Sequence, residues 1–224
     1  MSRTRVILSW SSGKDSAWAL YRLQRDPAVE LMGLITIFSA HERVFMHAVR
    51  PEIVAAQAAR AGLPLQVLRL PPACSHEEYM ERTRAVLREA SAQGATHIAY
   101  GDLYLESVRA HRLELLAGTG LEPVFPLWQE DTRALASEML RGGLETYVTT
   151  VDLKLLDRSF VGQRWDEAMI GRFPPGIDPC GEGGEFHTCV VGGPMFSSPV
   201  RVQPGQIVER EGYAFSDLVL CGPA

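Results

Sequence analysis

Lysine is nearly missing from this chain: of its 22 basic residues only Lys14 and Lys154 are lysine, and the rest are arginine. A compact ammonium is not interchangeable with a planar guanidinium. The two lysines either do a job arginine cannot do or survive by chance. Cysteine is sparse as well. Cys74, Cys180, Cys189 and Cys221 are too scattered for a disulfide framework, which points to a reducing, cytoplasmic setting. No apolar run approaches the roughly 18–20 residues of a membrane span, and the first residues lead straight into a strand pattern. Neither a signal-peptide core nor a membrane partner is expected. Positive charge is in deficit: a formal net charge of −5 argues against a general nucleic-acid binder. Repeats and low-complexity tracts are absent too. What is left, 46% hydrophobic and 22% charged over 224 residues, is ordinary globular composition. It suffices for one large domain, or one domain with a smaller companion.

The strongest local signal is Ser9-Trp10-Ser11-Ser12-Gly13-Lys14-Asp15-Ser16. Arg5-Val6-Ile7-Leu8 before it reads as a short buried strand. Ala17, Leu20, Tyr21 and Gln24 after it fall at helical spacing, with Asp15 and Ser16 in the first turn. Such a strand–loop–helix aims backbone N–H groups and the positive end of a helix at one place, which suits an anion. Gly13 allows close approach, the serines offer hydroxyls, and Lys14, expected at the surface in a loop, adds a point charge. The loop is not a Walker A motif, because Asp15 follows the lysine and no glycine stands five residues before Gly13. An ordinary strand-to-helix turn is the plainer alternative.

The chain then alternates. Residues 31–37 form a nearly continuous apolar run, Pro51 opens a helix that stops at Gly62, and residues 65–68 read as a third strand. Ser75 with Glu78 makes a capping box for a helix ending at Gly94, followed by a strand over 96–100 and a helix over 104–117. Alternation of this kind predicts an α/β fold with a doubly wound parallel sheet over residues 1–126. Ligands of such sheets sit at the carboxyl ends of the strands. Ser9 to Lys14, Phe38 onward, and Gly101-Asp102 all lie at such ends, so one crevice can collect them. Beyond Trp128 the pattern changes to an Asp131-capped helix, a strand over 146–151, a Gly/Pro-rich stretch, and a tail of short strands. Residues 127–224 are therefore expected to form a smaller α+β domain.

A second chemical cluster lies at Gly176-Ile177-Asp178-Pro179-Cys180-Gly181-Glu182-Gly183-Gly184-Glu185-Phe186-His187-Thr188. Its carboxylates suit a metal or a cationic group, Cys180 a nucleophile, and His187 a general base or a substrate contact. A zinc site from Cys180, His187 and Cys189 lacks a clear fourth ligand. A structural Gly-rich turn and a substrate-binding loop both remain open. Arg112 shares a helical stripe with Leu105, Val108 and Leu116, so it is either paired inside or turned toward a site. His47, in Phe45-Met46-His47, is a lone histidine after a strand.

Together these residues resemble the diphthine–ammonia ligase family of the N-type ATP pyrophosphatases, in the adenine nucleotide alpha hydrolase-like superfamily. Ser11-Ser12-Gly13-Lys14-Asp15-Ser16 is similar to the phosphate-binding Ser-Gly-Gly-x-Asp-Ser, with Ser12 in place of the first glycine. Residues 178–188 are similar to the family's most distinctive motif. Met46-His47, Arg112 with Glu114, and Leu127-Trp128 with Asp131 also match, so the resemblance runs from Val6 to about Phe196.

The resemblance implies a HUP/Rossmann-like ATP-binding domain and a two-step ligase. ATP lies with its pyrophosphate at the Gly13 loop and with Mg²⁺, for which Asp15 is the candidate ligand. A substrate carboxylate, on a small molecule or a protein side chain, attacks the α-phosphorus; ammonia then displaces AMP to give an amide. Ser9, Ser11, Ser12, Gly13, Lys14, Asp15, Ser16, Phe38, Gly101 and Asp102 are the implied nucleotide contacts. His47, Arg112, Glu114, Asp178, Cys180, Gly181, Glu182, Phe186 and Thr188 would face the acceptor. Lys14, Asp15, Glu185 and His187 are the implied catalytic set. Val108-Arg109 stand where archaeal and eukaryotic members usually carry Tyr-Gln. The chain ends at Ala224 without the extra domains of longer eukaryotic members. The arginine bias suits a bacterial type, for which diphthine itself is not the expected acceptor. A tRNA-modifying pyrophosphatase and an ATP sensor without ligase activity are the rival expectations. A homodimer is left open.

Overall fold

The computed structural model describes residues 3–39, 43–44 and 47–222; Phe45 and Met46 lie outside the described residues. The amino-terminal part alternates as the pattern demands: β1 (Thr4–Ser9), α1 (Lys14–Gln24), β2 (Val29–Phe38), α2 (Pro51–Ala61), β3 (Leu65–Arg69), α3 (His76–Ala92), β4 (His97–Ala99), α4 (Glu106–Leu116) and β5 (Glu122–Val124). All four pairings are parallel and the order is β3-β2-β1-β4-β5. Because side chains alternate across a strand, β1 serves two cores. Val6 and Leu8 join a cluster with Leu20, Ile53 and Val54 of α1 and α2. Ile7 joins another with Leu87 of α3 and Leu115 of α4. Helices thus cover both faces, which is what the continuous apolar strands required.

Local chemistry sets the boundaries. The Ser75 hydroxyl accepts from the Glu78 N–H to start α3, and Gly62 ends α2 in the left-handed region at φ +68°. The helix read as 104–117 starts later, at Glu106, because Leu105 is still extended and offers no capping side chain.

The remainder comprises α5 (Thr132–Arg141), β6 (Glu145–Asp152), a single 3₁₀ turn (Arg158–Phe160), α6 (Glu167–Ile170), β7 (Phe186–Gly192), β8 (Val202–Arg210) and β9 (Tyr213–Leu220). β6 to β9 form an antiparallel sheet ordered β7-β6-β9-β8. Its tail strands are longer than the sequence pattern suggested, at seven, nine and eight residues. This sheet packs on the α1/α2 side of the parallel sheet. One apolar cluster runs from Leu8, Trp10 and Trp18 into Val148, Val151, Trp165, Phe186 and Val190. The shared core brings β7 against the end of β1. Among the described residues no helix is long and apolar enough to cross a membrane.

Candidate active site

β1 and β4 are neighbours, while the chain leaves β1 toward β2 on the other side. The sheet's switch point therefore opens between their carboxyl ends, where such folds place ligands. The loop from Ser9 leads there into α1, whose first turn carries N–H groups without intrahelical partners. Ser11 and Ser16 share a hydrogen bond between hydroxyls at 3.1 Å. Ser12 stands in the left-handed region at φ +73°. Two of the loop's N–H groups are already engaged: Gly13 donates to Ser11 Oγ and Lys14 to Thr188 Oγ1, at 3.3 and 3.0 Å.

Lys14 is not at the surface. It is 2% exposed. Its ammonium donates to Asp15 Oδ2 at 2.8 Å and to the Cys180 carbonyl, and lies over the rings of Phe186 and Trp165. Burial works against the charge, but Asp15 beside it, together with Cys180 and Glu182 nearby, outweighs this and raises the lysine above its ordinary value. The expectation of an exposed loop lysine fails because β7 and the Cys180 segment cover the start of α1. Asp15 Oδ1 is buried with no hydrogen-bond partner among the described residues.

β7 supplies the opposite wall. The Thr188 carbonyl accepts from His47 Nδ1 at 2.8 Å, which fixes the proton on that nitrogen. Burial lowers His47 to about 4, so its ring is neutral. The His187 ring lies 4.9 Å from that of His47. Burial, with His47 and Lys14 nearby, holds His187 well below its ordinary value, and its buried Nε2 has no partner among the described residues. Gly13 lies under His47, where an added Cβ would stand 2.5 Å from the imidazole Cε1. Cys180 is buried and donates its thiol to the Thr132 carbonyl at 3.3 Å; burial pushes its thiol well up. A thiol held so is a poor nucleophile.

At the end of β4, Gly101 touches the first turn of α1, and a Cβ there would stand 2.7 Å from Asp15 C and Ser16 N. Asp102 accepts from Arg112 Nε at 3.0 Å, and Arg112 lies over the Tyr100 ring at 4.8 Å. Both readings of Arg112 hold: it is paired, and it faces the site. Glu182 Oε1 accepts from the Leu103 N–H at 2.9 Å, and burial raises the carboxyl to about 7.

These surfaces enclose a cavity of about 670 Å³. Of the residues singled out in the sequence, it is lined by Ser9, Ser11, Lys14, Asp15, Ser16, His47, Gly101, Asp102, Arg112, Cys180, Gly181, Glu182, Phe186, His187 and Thr188. Others stand elsewhere. Phe38 is buried in the core. Glu114 is exposed on α4. Asp178 accepts from the Tyr104 hydroxyl and the Cys180 N–H, and Glu185 Oε1 accepts from the Asp178 N–H at 3.1 Å. These two acids do not line the cavity, because their bonds engage them with the turn and with Tyr104. Ser12 turns inward to Gln57, 2.7 Å away, and does not line it either. Cys189 lies behind Ser12, at 3.7 Å. Among the described residues no group of three or more His, Cys, Asp or Glu side chains is arranged to hold a metal ion.

Sequence reasoning missed one end of the cavity. His76, Tyr79 and His111 pack ring to ring at 5.9–6.4 Å beside Tyr100, with Ile35, Ile37 and Leu70 as apolar lining. His76 and Tyr79 lie on the first turn of α3 and His111 on α4. Their spacing carries no signal until the two helices are placed side by side.

Comparisons with known proteins agree across the chain. Residues 4–121 match the profile of the diphthamide synthase N-terminal domain, and residues 131–219 that of the diphthamide synthase C-terminal domain. A diphthine–ammonia ligase of Schizosaccharomyces pombe is 30% identical over 126 residues, 54% of this chain and 20% of that protein. The Bos taurus enzyme of the same name is 23% identical over 147 residues, 62% of this chain and 53% of that protein. The matched stretches thus span about half or less of these relatives. A solved structure of a U34-tRNA thiolase, NcsA from Methanococcus maripaludis, is 15% identical with a TM-score of 0.44, covering 63% of this chain and 58% of that one.

Proposed function

This chain belongs to the diphthamide synthase family, and on that premise we propose that it is an ATP-dependent ligase that adenylates a substrate carboxylate and amidates it with ammonia. One observation carries the reading. The α1 start, the end of β4 and the segment from Cys180 to Thr188 meet in a single cavity whose size suits a nucleotide-sized ligand.

In the first step the substrate carboxylate oxygen forms a bond to the α-phosphorus, the bond from that phosphorus to its β-bridging oxygen breaks, and pyrophosphate leaves. Residues 1–126 would hold the nucleotide, with Ser11, Ser16 and the first-turn N–H groups of α1 toward the pyrophosphate. Lys14 acts from behind. Its ammonium fixes Asp15 and the Cys180 carbonyl, so its part is to set the wall and not to reach the phosphates as a free charge.

Charge in the cavity bears on Mg²⁺. Its lining holds Asp15, Asp102 and Glu182 against Lys14 and Arg112. Lys14 and Arg112 are paired with Asp15 and Asp102, so a divalent cation arriving with a polyphosphate would add positive charge that the lining does not offer. Asp15 Oδ1, buried and unpartnered among the described residues, fits that role. When bound, the ion would supply neutralisation of the phosphate charge.

In the second step ammonia forms a bond to the acyl carbon, AMP leaves, and one proton departs from nitrogen. Residues 127–224 would present the acceptor side. The His187 ring is neutral, and in the tautomer with its proton on Nδ1 the unpartnered Nε2 would offer a lone pair to that proton. The acceptor is a carboxylate on a small molecule or a protein side chain.

Product analysis of ATP turnover with Mg²⁺, ammonium and fractionated cell extract tests the reading. AMP and pyrophosphate formed only with an extract fraction support it. ADP and phosphate contradict it, and a saturable tRNA complex would favour nucleic-acid modification instead.

A further inference from the structure

Ser12 stands in the left-handed region at φ +73°, a conformation that L side chains rarely adopt, next to Gly13, which does not. What holds it there comes from a different element. Gln57 lies in the middle of α2, fully buried, and every polar atom of its amide is used. Its Oε1 accepts from Ser12 Oγ at 2.7 Å and from Trp10 Nε1 at 3.0 Å. Its Nε2 donates to the Val190 carbonyl at 2.6 Å and to the Ser12 carbonyl at 3.3 Å. The Ser12 carbonyl also accepts from the Val190 N–H at 2.9 Å. One amide thus binds Ser12 at both its hydroxyl and its carbonyl, and ties the loop to β7 as well.

We propose that Gln57 is the positioning residue of the phosphate loop, holding Ser12 in the left-handed conformation from which the following residues can turn into α1. The proposal rests on the nucleotide reading of that loop. The physical basis is that a buried, fully satisfied polar side chain specifies one arrangement, whereas an apolar one of equal size specifies none. Without Gln57, the Ser12 hydroxyl and the Trp10 N–H lose their acceptor inside the core. Ser12 then gains by rotating out of the left-handed region, and the loop's aim at the cavity is lost.

The test is a cycle of four proteins: wild type, Gln57→Met, Ser12→Gly, and the double variant. Inorganic pyrophosphate and ATP with Mg²⁺ are titrated calorimetrically, and thermal unfolding is followed in parallel. Gln57→Met should weaken both ligands about tenfold. Ser12→Gly should bind much as the wild type does, since glycine takes the left-handed region freely and has no hydroxyl to satisfy. In the double variant, Ser12→Gly should restore most of the affinity lost by Gln57→Met, while its melting temperature stays low. A purely structural glutamine would lower the melting temperature without rescue of binding by glycine. Failure of that rescue, or wild-type affinity in Gln57→Met, overturns the inference. If the wild type binds neither ligand, the nucleotide reading itself falls. The inference is then decided by the crystal structure of Gln57→Met: Ser12 moved from the left-handed region upholds it, and Ser12 unmoved overturns it.

Discussion

Lys14 and Cys180 are joined by a buried hydrogen bond from the lysine ammonium to the cysteine's backbone carbonyl. The bond ties the first residue of α1 to the Gly-rich segment, and so the parallel sheet to the connection between β6 and β7 of the antiparallel one. Because the same ammonium also holds Asp15, the position of both walls depends on one side chain.

Lys14→Met should therefore destabilise the protein, not merely weaken a ligand contact. Removing one partner of a buried pair leaves the other uncompensated, a loss of about 3 kcal/mol. The Asp15 carboxylate opens toward the cavity, and water there moderates the loss. Urea unfolding of the variant measures it. Lys14→Arg should restore little, since a planar fork does not fit a place shaped for a point charge.

The contribution of His47 to stability should rise with pH between about 4 and 6.5. His47 is lowered by burial from 6.5 to about 4, so in that window the unfolded chain binds a proton that the folded one does not. Full protonation below the window would cost about 3 kcal/mol from this residue. His187 contributes with the same sign. His47→Gln keeps a donor for the Thr188 carbonyl and cannot titrate, so its unfolding free energy should depend less on pH. A variant with the wild-type pH slope would remove His47 from this role.

Glu182 acts in the opposite sense. Burial raises its carboxyl from 4.5 to about 7, so the folded form holds a proton that the unfolded form has released. Its contribution is complete below 4.5 and is lost as pH rises through about 7. The two windows overlap, and the wild-type profile partly cancels. Glu182→Gln retains an acceptor for the Leu103 N–H and removes the titration. Its stability should rise more steeply with pH than that of the wild type and exceed it at pH 8 by about 1–2 kcal/mol, water at the cavity limiting the gain. Equal profiles would count against the burial argument.

The sequence made the parallel sheet legible because each of its elements carries a local mark. The capping box at Ser75, the Pro51 start and the apolar run Val6-Ile7-Leu8 are read without knowing any neighbour. The strand-end rule then placed Ser11, Lys14, Gly101 and Asp102 beside one crevice. Long-range partners left no such mark. Nothing local in Gly13-Lys14-Asp15 tells that β7 will cover the lysine, or that Gln57 will reach Ser12 from 45 positions away. Glu185 was legible as part of a reactive cluster but not as a turn-holding acid, because its partner is a backbone N–H. Phe38 ends a strand at the correct side of the sheet, yet its side chain turns into the core.

Gly101 gives the sharpest check on the close packing at the switch point. An added Cβ would stand 2.7 Å from the backbone of Asp15 and Ser16, and backbone cannot swing aside as a side chain can. Relief would require the first turn of α1 to move, which would displace Asp15 and the N–H groups proposed to face pyrophosphate. Gly101→Ala should accordingly weaken ATP binding about tenfold or more. Gly118 supplies the control: it has φ +74°, but an added Cβ meets nothing within 4 Å. Gly118→Ala should cost only backbone strain, about 1–2 kcal/mol of stability, and leave nucleotide affinity unchanged. Calorimetric titration of both variants separates the two mechanisms. Equal losses of affinity would mean that general destabilisation, and not the Gly101 contact with α1, controls the site.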